Sequence, residues 1–125
     1  MRVRVPFIVF EQDPFVRADI CEALLEEFSD QTVALAETIE GVAETYSGLA
    51  APVVAILSLS SDLVQTHLDQ LSRMMPDVSF VVIGDAAPES SESGAAFFYL
   101  PRPFSSDSLI AIVKSATAGL LSDQS

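Results

Sequence analysis

Val53-Val54-Ala55-Ile56-Leu57 is apolar throughout, and Phe80-Val81-Val82-Ile83 repeats the pattern. A strand with one wet face alternates polar and apolar residues, whereas an unbroken apolar run belongs to a strand covered on both faces, as in a parallel sheet. The first run therefore predicts a strand in the middle of such a sheet. Toward the N-terminus, Val5 to Phe10 forms another apolar run, with Pro6 at its entrance, where a missing N–H is tolerated. Thr32 to Ala36 reads as a brief strand with Val33 and Leu35 on one side, and Ala96 to Leu100 as a fifth strand.

Between these runs the apolar period becomes helical. Asp13 before Pro14 is an N-cap followed by a first-turn proline, and Val16, Ile20, Ala23, Leu24 and Phe28 recur at helical spacing until Ser29-Asp30. Ile39, Val42, Ala43 and Tyr46 mark a short helix stopped near Gly48. Ser60, Ser61 and Asp62 offer caps for a third helix carrying Val64, Leu68, Leu71 and Met75, which Pro76 terminates. After the rigid turn Pro101-Arg102-Pro103, Ser105 or Ser106 caps a last helix with Leu109, Ile112, Val113, Ala116 and Leu120 inward. The segment from Gly84 to Gly94 lacks apolar periodicity and has room for a turn or two of helix, so a shortened or irregular fourth helix is expected there. Strands alternating with helices imply a three-layer α/β domain around a doubly wound five-stranded parallel sheet. The expected organisation is one domain over residues 1–121 and a frayed tail over 122–125.

With 125 residues, half of them hydrophobic, the chain suffices for one domain burying about two-thirds of its unfolded surface. Eighteen acidic residues against six basic ones give a formal charge of −12, which repels polyphosphate and counts against nucleic-acid binding. Cys21 and His67 are the only residues of their types, so disulfide and zinc frameworks are excluded. The apolar run after the first residues ends at Phe10, too short for a secretion signal or a membrane span, and a soluble cytoplasmic protein is expected.

In an open parallel sheet, ligands gather beyond the carboxyl ends of the strands where the winding reverses. The residues falling there are Glu11, Gln12, Asp13, Ser58, Gly84 and Arg102. The stretch Val9-Phe10-Glu11-Gln12-Asp13-Pro14-Phe15-Val16-Arg17, together with Tyr99-Leu100-Pro101-Arg102-Pro103-Phe104, resembles the CheY-like receiver domain of bacterial two-component response regulators. The resemblance implies a five-stranded parallel sheet of order 2-1-3-4-5 with five helices. It also implies a reaction: a working receiver accepts a phosphoryl group on an Asp ending the third strand, beside magnesium held by two acids after the first strand. A hydroxyl residue after strand four and a lysine after strand five bind the phosphoryl oxygens, and an aromatic on strand five responds.

Carried over by position, the first acid is Glu11, but the second is the neutral Gln12. Ser58 stands where the acceptor Asp belongs, Gly84 at the hydroxyl position and Arg102 at the lysine. Of these six positions, two keep their character, the acid Glu11 and the aromatic Tyr99. Three carboxylates and a lysine call for a divalent cation, whereas Glu11 against Arg102 sums to zero. A Ser58 hydroxyl without a base is a poor nucleophile, and His67 is expected two turns into the third helix. The resulting expectation is a degenerate phosphorylation pocket with no catalytic residue, no metal and no cofactor, in which Glu11 and Arg102 pair directly.

Other residues read as structure. The acids Glu22, Glu26, Glu27 and Asp30 make a solvated stripe on the first helix. On the fifth strand, Phe98 faces one helical layer while Phe97 and Tyr99 face the other, and under a thin cover these three form an interaction face. The leading functional expectation is a stand-alone atypical receiver without an output domain, not an enzyme. It acts on a protein partner, a second copy of itself included, through the face of the fourth helix, fifth strand and fifth helix. The alternatives are a phosphorelay receiver accepting a phosphoryl group from a histidine kinase on Asp13, Asp62 or Asp85, and a small-molecule sensor using the altered pocket.

Overall fold

The structure, a computed structural model, describes residues 5–28, 32–49, 53–60, 62, 64–75, 77–85 and 97–122. Five strands, β1 (Phe7–Phe10), β2 (Val33–Ala36), β3 (Val53–Ser58), β4 (Val78–Gly84) and β5 (Phe97–Pro101), form one sheet in the order β2-β1-β3-β4-β5. Every pairing is parallel, and β3 lies at the centre as its unbroken apolar run requires. Four helices are described: α1 (Pro14–Glu27), α2 (Ile39–Ser47), α3 (Val64–Met74) and α4 (Ser106–Ser122), the last corresponding to the expected fifth helix. The expected irregular fourth helix, apart from Gly84 and Asp85, lies outside the described residues, as do Ser61, Pro76 and residues 123–125. Ser122, expected in the frayed tail, ends α4.

Because adjacent strand residues point to opposite faces, the sheet divides the interior into two cores. Ile8, Phe10, Ala55, Leu57, Phe80 and Val82 pack with α2 and α3 residues, including Val42, Leu68 and Leu71. Phe7, Val9, Val54, Ile56, Val81 and Ile83 pack on the other face with Ile20 and Leu24 of α1 and Leu109 and Val113 of α4. The β5 aromatics follow the same parity: Phe97 packs against the first core and Phe98 against the second. Leu35 departs from the expected pattern. It shares a face with Val33, yet is 52% exposed on β2, an edge strand with a neighbour on one side only.

The helix boundaries follow from their caps. Asp13 Oδ1 accepts hydrogen bonds from Phe15 N (2.9 Å) and Val16 N (3.3 Å), satisfying two of the otherwise orphaned N–H groups of α1. Asp13→Ala is therefore expected to cost about 1 kcal/mol of stability, read as a lower urea midpoint. Thr38 caps α2 through Gly41 N at 2.9 Å, a cap unrecognised in the sequence reading. Of the two serines before α4, Ser105 is the cap. Its Oγ accepts from Ser108 N at 3.1 Å, and Ser108 Oγ accepts in return from Ser105 N at 3.0 Å, a reciprocal capping box with serine in the glutamate role.

Where α1 meets α4, Lys114 Nζ lies 2.7 Å from Glu27 Oε1, taking one acid of the expected solvated stripe into an ion pair. On α1, burial pushes the Cys21 thiol above its ordinary pKa, with the Arg17 charge acting in the opposite direction. The unfolded chain releases this proton first, so the contribution is complete below the ordinary thiol pKa of about 8.5 and is lost as pH rises through the raised folded value. Alkylation of Cys21 near pH 8 is accordingly expected to be slower in the folded protein than in urea, as followed by mass.

Candidate functional site

The carboxyl ends of β1, β3, β4 and β5 bring Glu11, Ser58, Gly84 and Arg102 to one edge of the sheet. Ser58 is the last residue of β3, pairs with Ile83 across the sheet and is only 8% exposed. Its Oγ accepts a hydrogen bond from Arg102 Nη2. Arg102 Nη1 lies 3.5 Å from Asp85 Oδ2, so the guanidinium fork spans from the end of β3 to the residue after β4. The Gly84 carbonyl accepts both the backbone N–H of Arg102 (3.1 Å) and the Tyr99 hydroxyl (2.9 Å), filling its two lone pairs and tying the end of β5 to β4. The Arg102–Pro103 peptide is cis.

The expected Glu11–Arg102 ion pair is not formed. The buried Glu11 instead turns its carboxylate toward the start of α1, where Oε1 accepts from Asp13 N at 3.0 Å. A helix N-terminus carries partial positive charge and unsatisfied N–H donors, which compete locally for an acid two residues away. Arg102 takes Ser58 and Asp85 instead.

Two clefts open at this edge. The larger, of about 990 Å³, runs between α1 and the segment from Arg102 to Leu109, and Glu11, Asp13 and Asp85 also line it. The smaller, of about 360 Å³, is lined by Gln12, Glu37, Thr38, Ser58, Ser60 and His67 among others. Glu11 and Gln12 thus part company, the exposed amide facing the second cleft. His67, set apart from Ser58 in the sequence reading, comes to the second cleft. It is the fourth residue of α3, in the first described turn, and borders the cleft that Ser58 lines. Its Nδ1 is buried with no hydrogen-bond partner. The one available signal was its position three residues after Val64 and four before Leu71, both buried, which places it toward the inward side of an amphipathic helix.

Magnesium in a working receiver is held by hard oxygen donors, and these residues do not fit it. Glu11 is engaged with a backbone N–H, Asp13 with the α1 cap, Asp85 with Arg102, and Ser58 with the guanidinium. Among the described residues no group of three or more His, Cys, Asp or Glu is placed to hold a metal ion. No described helix is long and apolar enough to cross a membrane.

No family model matches the sequence, and no curated protein matches it significantly. Solved structures do match. The chain superposes on NtrX from Brucella abortus with a TM-score of 0.73 at 16% identity, covering 98% of this chain and 28% of that one. A two-component response regulator from Clostridium difficile gives 0.71 at 17% identity over 91% of this chain and 96% of the other. The pilus assembly protein CpaE from Caulobacter crescentus gives 0.69 at 20% identity, with 90% and 98% covered. The fold is therefore that of the CheY-like receiver domains, with the strand order the sequence resemblance implied.

Proposed function

We propose that this chain is a receiver-fold signalling domain that works by protein–protein recognition, with a pocket unsuited to phosphoryl transfer. The observation that carries the reading is the Ser58–Arg102 hydrogen bond at the end of β3. A hydroxyl stands where an acceptor carboxylate would have to be, and a guanidinium held by Ser58 and Asp85 occupies its approach. Phosphoryl transfer depends almost entirely on positioning and charge, so displaced donors forfeit most of the rate.

None of the substitute acceptors is placed as a third-strand acceptor would be: Asp13 caps α1, Asp85 follows β4 on a largely exposed side chain, and Asp62 lines neither cleft. On this reading the domain is a cytoplasmic binding module rather than an enzyme, and it extends through Ser122 at the end of α4. Recognition is assigned to the face of β5 and α4, where Phe97, Phe98 and Tyr99 remain half-buried, a second copy being one partner whose association sedimentation reads directly.

Incubation with acetyl phosphate, or with beryllofluoride and magnesium, tests the reading. No mass adduct and no magnesium-dependent change in tyrosine fluorescence are expected. A stoichiometric adduct would establish the phosphorelay alternative instead.

A further inference from the structure

A third cleft, of about 360 Å³, lies along the seam between α2 and α3, and Ile39, Ala43, Leu71 and Met74 supply its apolar part. Ile39 and Glu40 also line the Ser58 cleft, so the two hollows adjoin. On the α3 side, His67 borders one hollow and Gln70 and Met74 the other, a rise of about 10 Å from first to last. On the α2 side stand the exposed acids Glu37, Glu40 and Glu44, and no Lys or Arg lines either hollow among the described residues. The positive end of α2 accounts for Glu40 in its first turn, but not for Glu44 in the middle of the helix. None of these acids has a cationic partner among the described residues. Met74 is 54% exposed, whereas its neighbour Met75 is fully buried in the core. An exposed, unbranched thioether at the end of an apolar seam adapts readily to a partner's shape.

We infer that the α2/α3 seam docks a cationic amphipathic helix of a partner protein, with Lys or Arg one turn apart against Glu40 and Glu44 and an apolar stripe over Ala43, Leu71 and Met74. Because α2 and α3 pack on one face of the sheet and α1 and α4 on the other, this is a second recognition surface. It does not depend on the β5 and α4 face assigned above. Two neighbouring helices leave a groove that a third fills at an interaxial distance of about 8–10 Å. Such a helix is read through anchors at i, i+3 or i+4, and i+7, the spacing of His67, Leu71 and Met74 along the wall of the seam. Charge complementarity selects the occupant. A second copy of a chain with formal charge −12 is repelled from a seam whose only ionised groups are acids, whereas a basic helix is drawn to it.

The test titrates the full chain with a synthetic Leu/Lys amphipathic peptide of about five turns, and takes the Kd from the NMR amide shifts of residues 37–47 and 67–74 at low and high salt. Expected results are saturable shifts in both segments and a Kd that rises with salt. The Glu40→Lys/Glu44→Lys variant is expected to raise that Kd about tenfold. Met74→Ser, at an exposed side chain whose loss leaves the core intact, should raise it several-fold. Asp19→Lys/Glu22→Lys, which changes net charge equally on α1, should leave it unchanged.

Equal losses from both charge-reversal pairs, an equal response to a peptide with Glu in place of Lys, or no saturable shift in these two segments would each overturn the inference. The acetyl phosphate experiment involves no peptide. A phosphoryl adduct would refute the proposed function and leave this Kd standing, and an absent Kd would leave the adduct result as it is.

Discussion

Phe80→Ala is expected to cost about 3–5 kcal/mol, the largest loss among the substitutions considered, against a total stability of roughly 5–15 kcal/mol for a domain of this kind. Phe80 has no solvent exposure and lies in β4 opposite Ala55 of β3 and Phe97 of β5. The small Ala55 leaves room for the ring, which packs in the core shared with α2 and α3. Neither neighbouring strand can collapse into the vacated space without breaking its ladder, so the cavity persists and adds to the lost transfer energy. The check is a urea titration: the midpoint should fall sharply with the slope unchanged. Leu35→Ala, on the half-exposed edge strand, should shift stability by about 0.5 kcal/mol at most. A comparable loss at both positions would mean that the α2/α3 core is not packed as described.

Arg102→Ala is expected to cost about 1–2 kcal/mol, because it strips the buried Ser58 oxygen of its charged donor. The figure lies below the usual range for a charge-assisted hydrogen bond because the Arg102 side chain is one-third exposed and water replaces part of what is lost. The Asp85 contact at 3.5 Å, on a largely exposed carboxylate, adds little, so Asp85→Ala should be nearly silent. The discriminating experiment is a double-mutant cycle. Once Arg102 is alanine, Ser58→Ala should be almost free, giving a coupling of about 1 kcal/mol. Strictly additive losses would remove the hydrogen bond on which the proposed function depends.

The five strands, their parallel arrangement and three helix boundaries were legible along the chain because they are written in local periodicity. A buried strand needs an apolar run whatever its neighbours are, and Asp13-Pro14 starts a helix through groups within one turn. The positions of Glu11, Ser58, Gly84 and Arg102 at one edge follow from the same logic, since strand ends in a parallel sheet converge. The choice between Ser105 and Ser106, by contrast, needed the reciprocal bonds with Ser108.

The tertiary structure alone decided which of these groups touch. By formal charge Glu11 and Arg102 are natural partners, but the start of α1 offers Glu11 a donor two residues away, while Ser58 meets Arg102 across 44 residues of sequence. His67 borders the Ser58 cleft only because the fold sets this part of α3 beside the end of β3. Leu35 stays in water because its strand is at the edge. Periodicity records which side of an element is buried, a property each segment carries by itself. Pairing depends on distances and competing donors among segments far apart in the chain, and those exist only once the sheet has closed its layers.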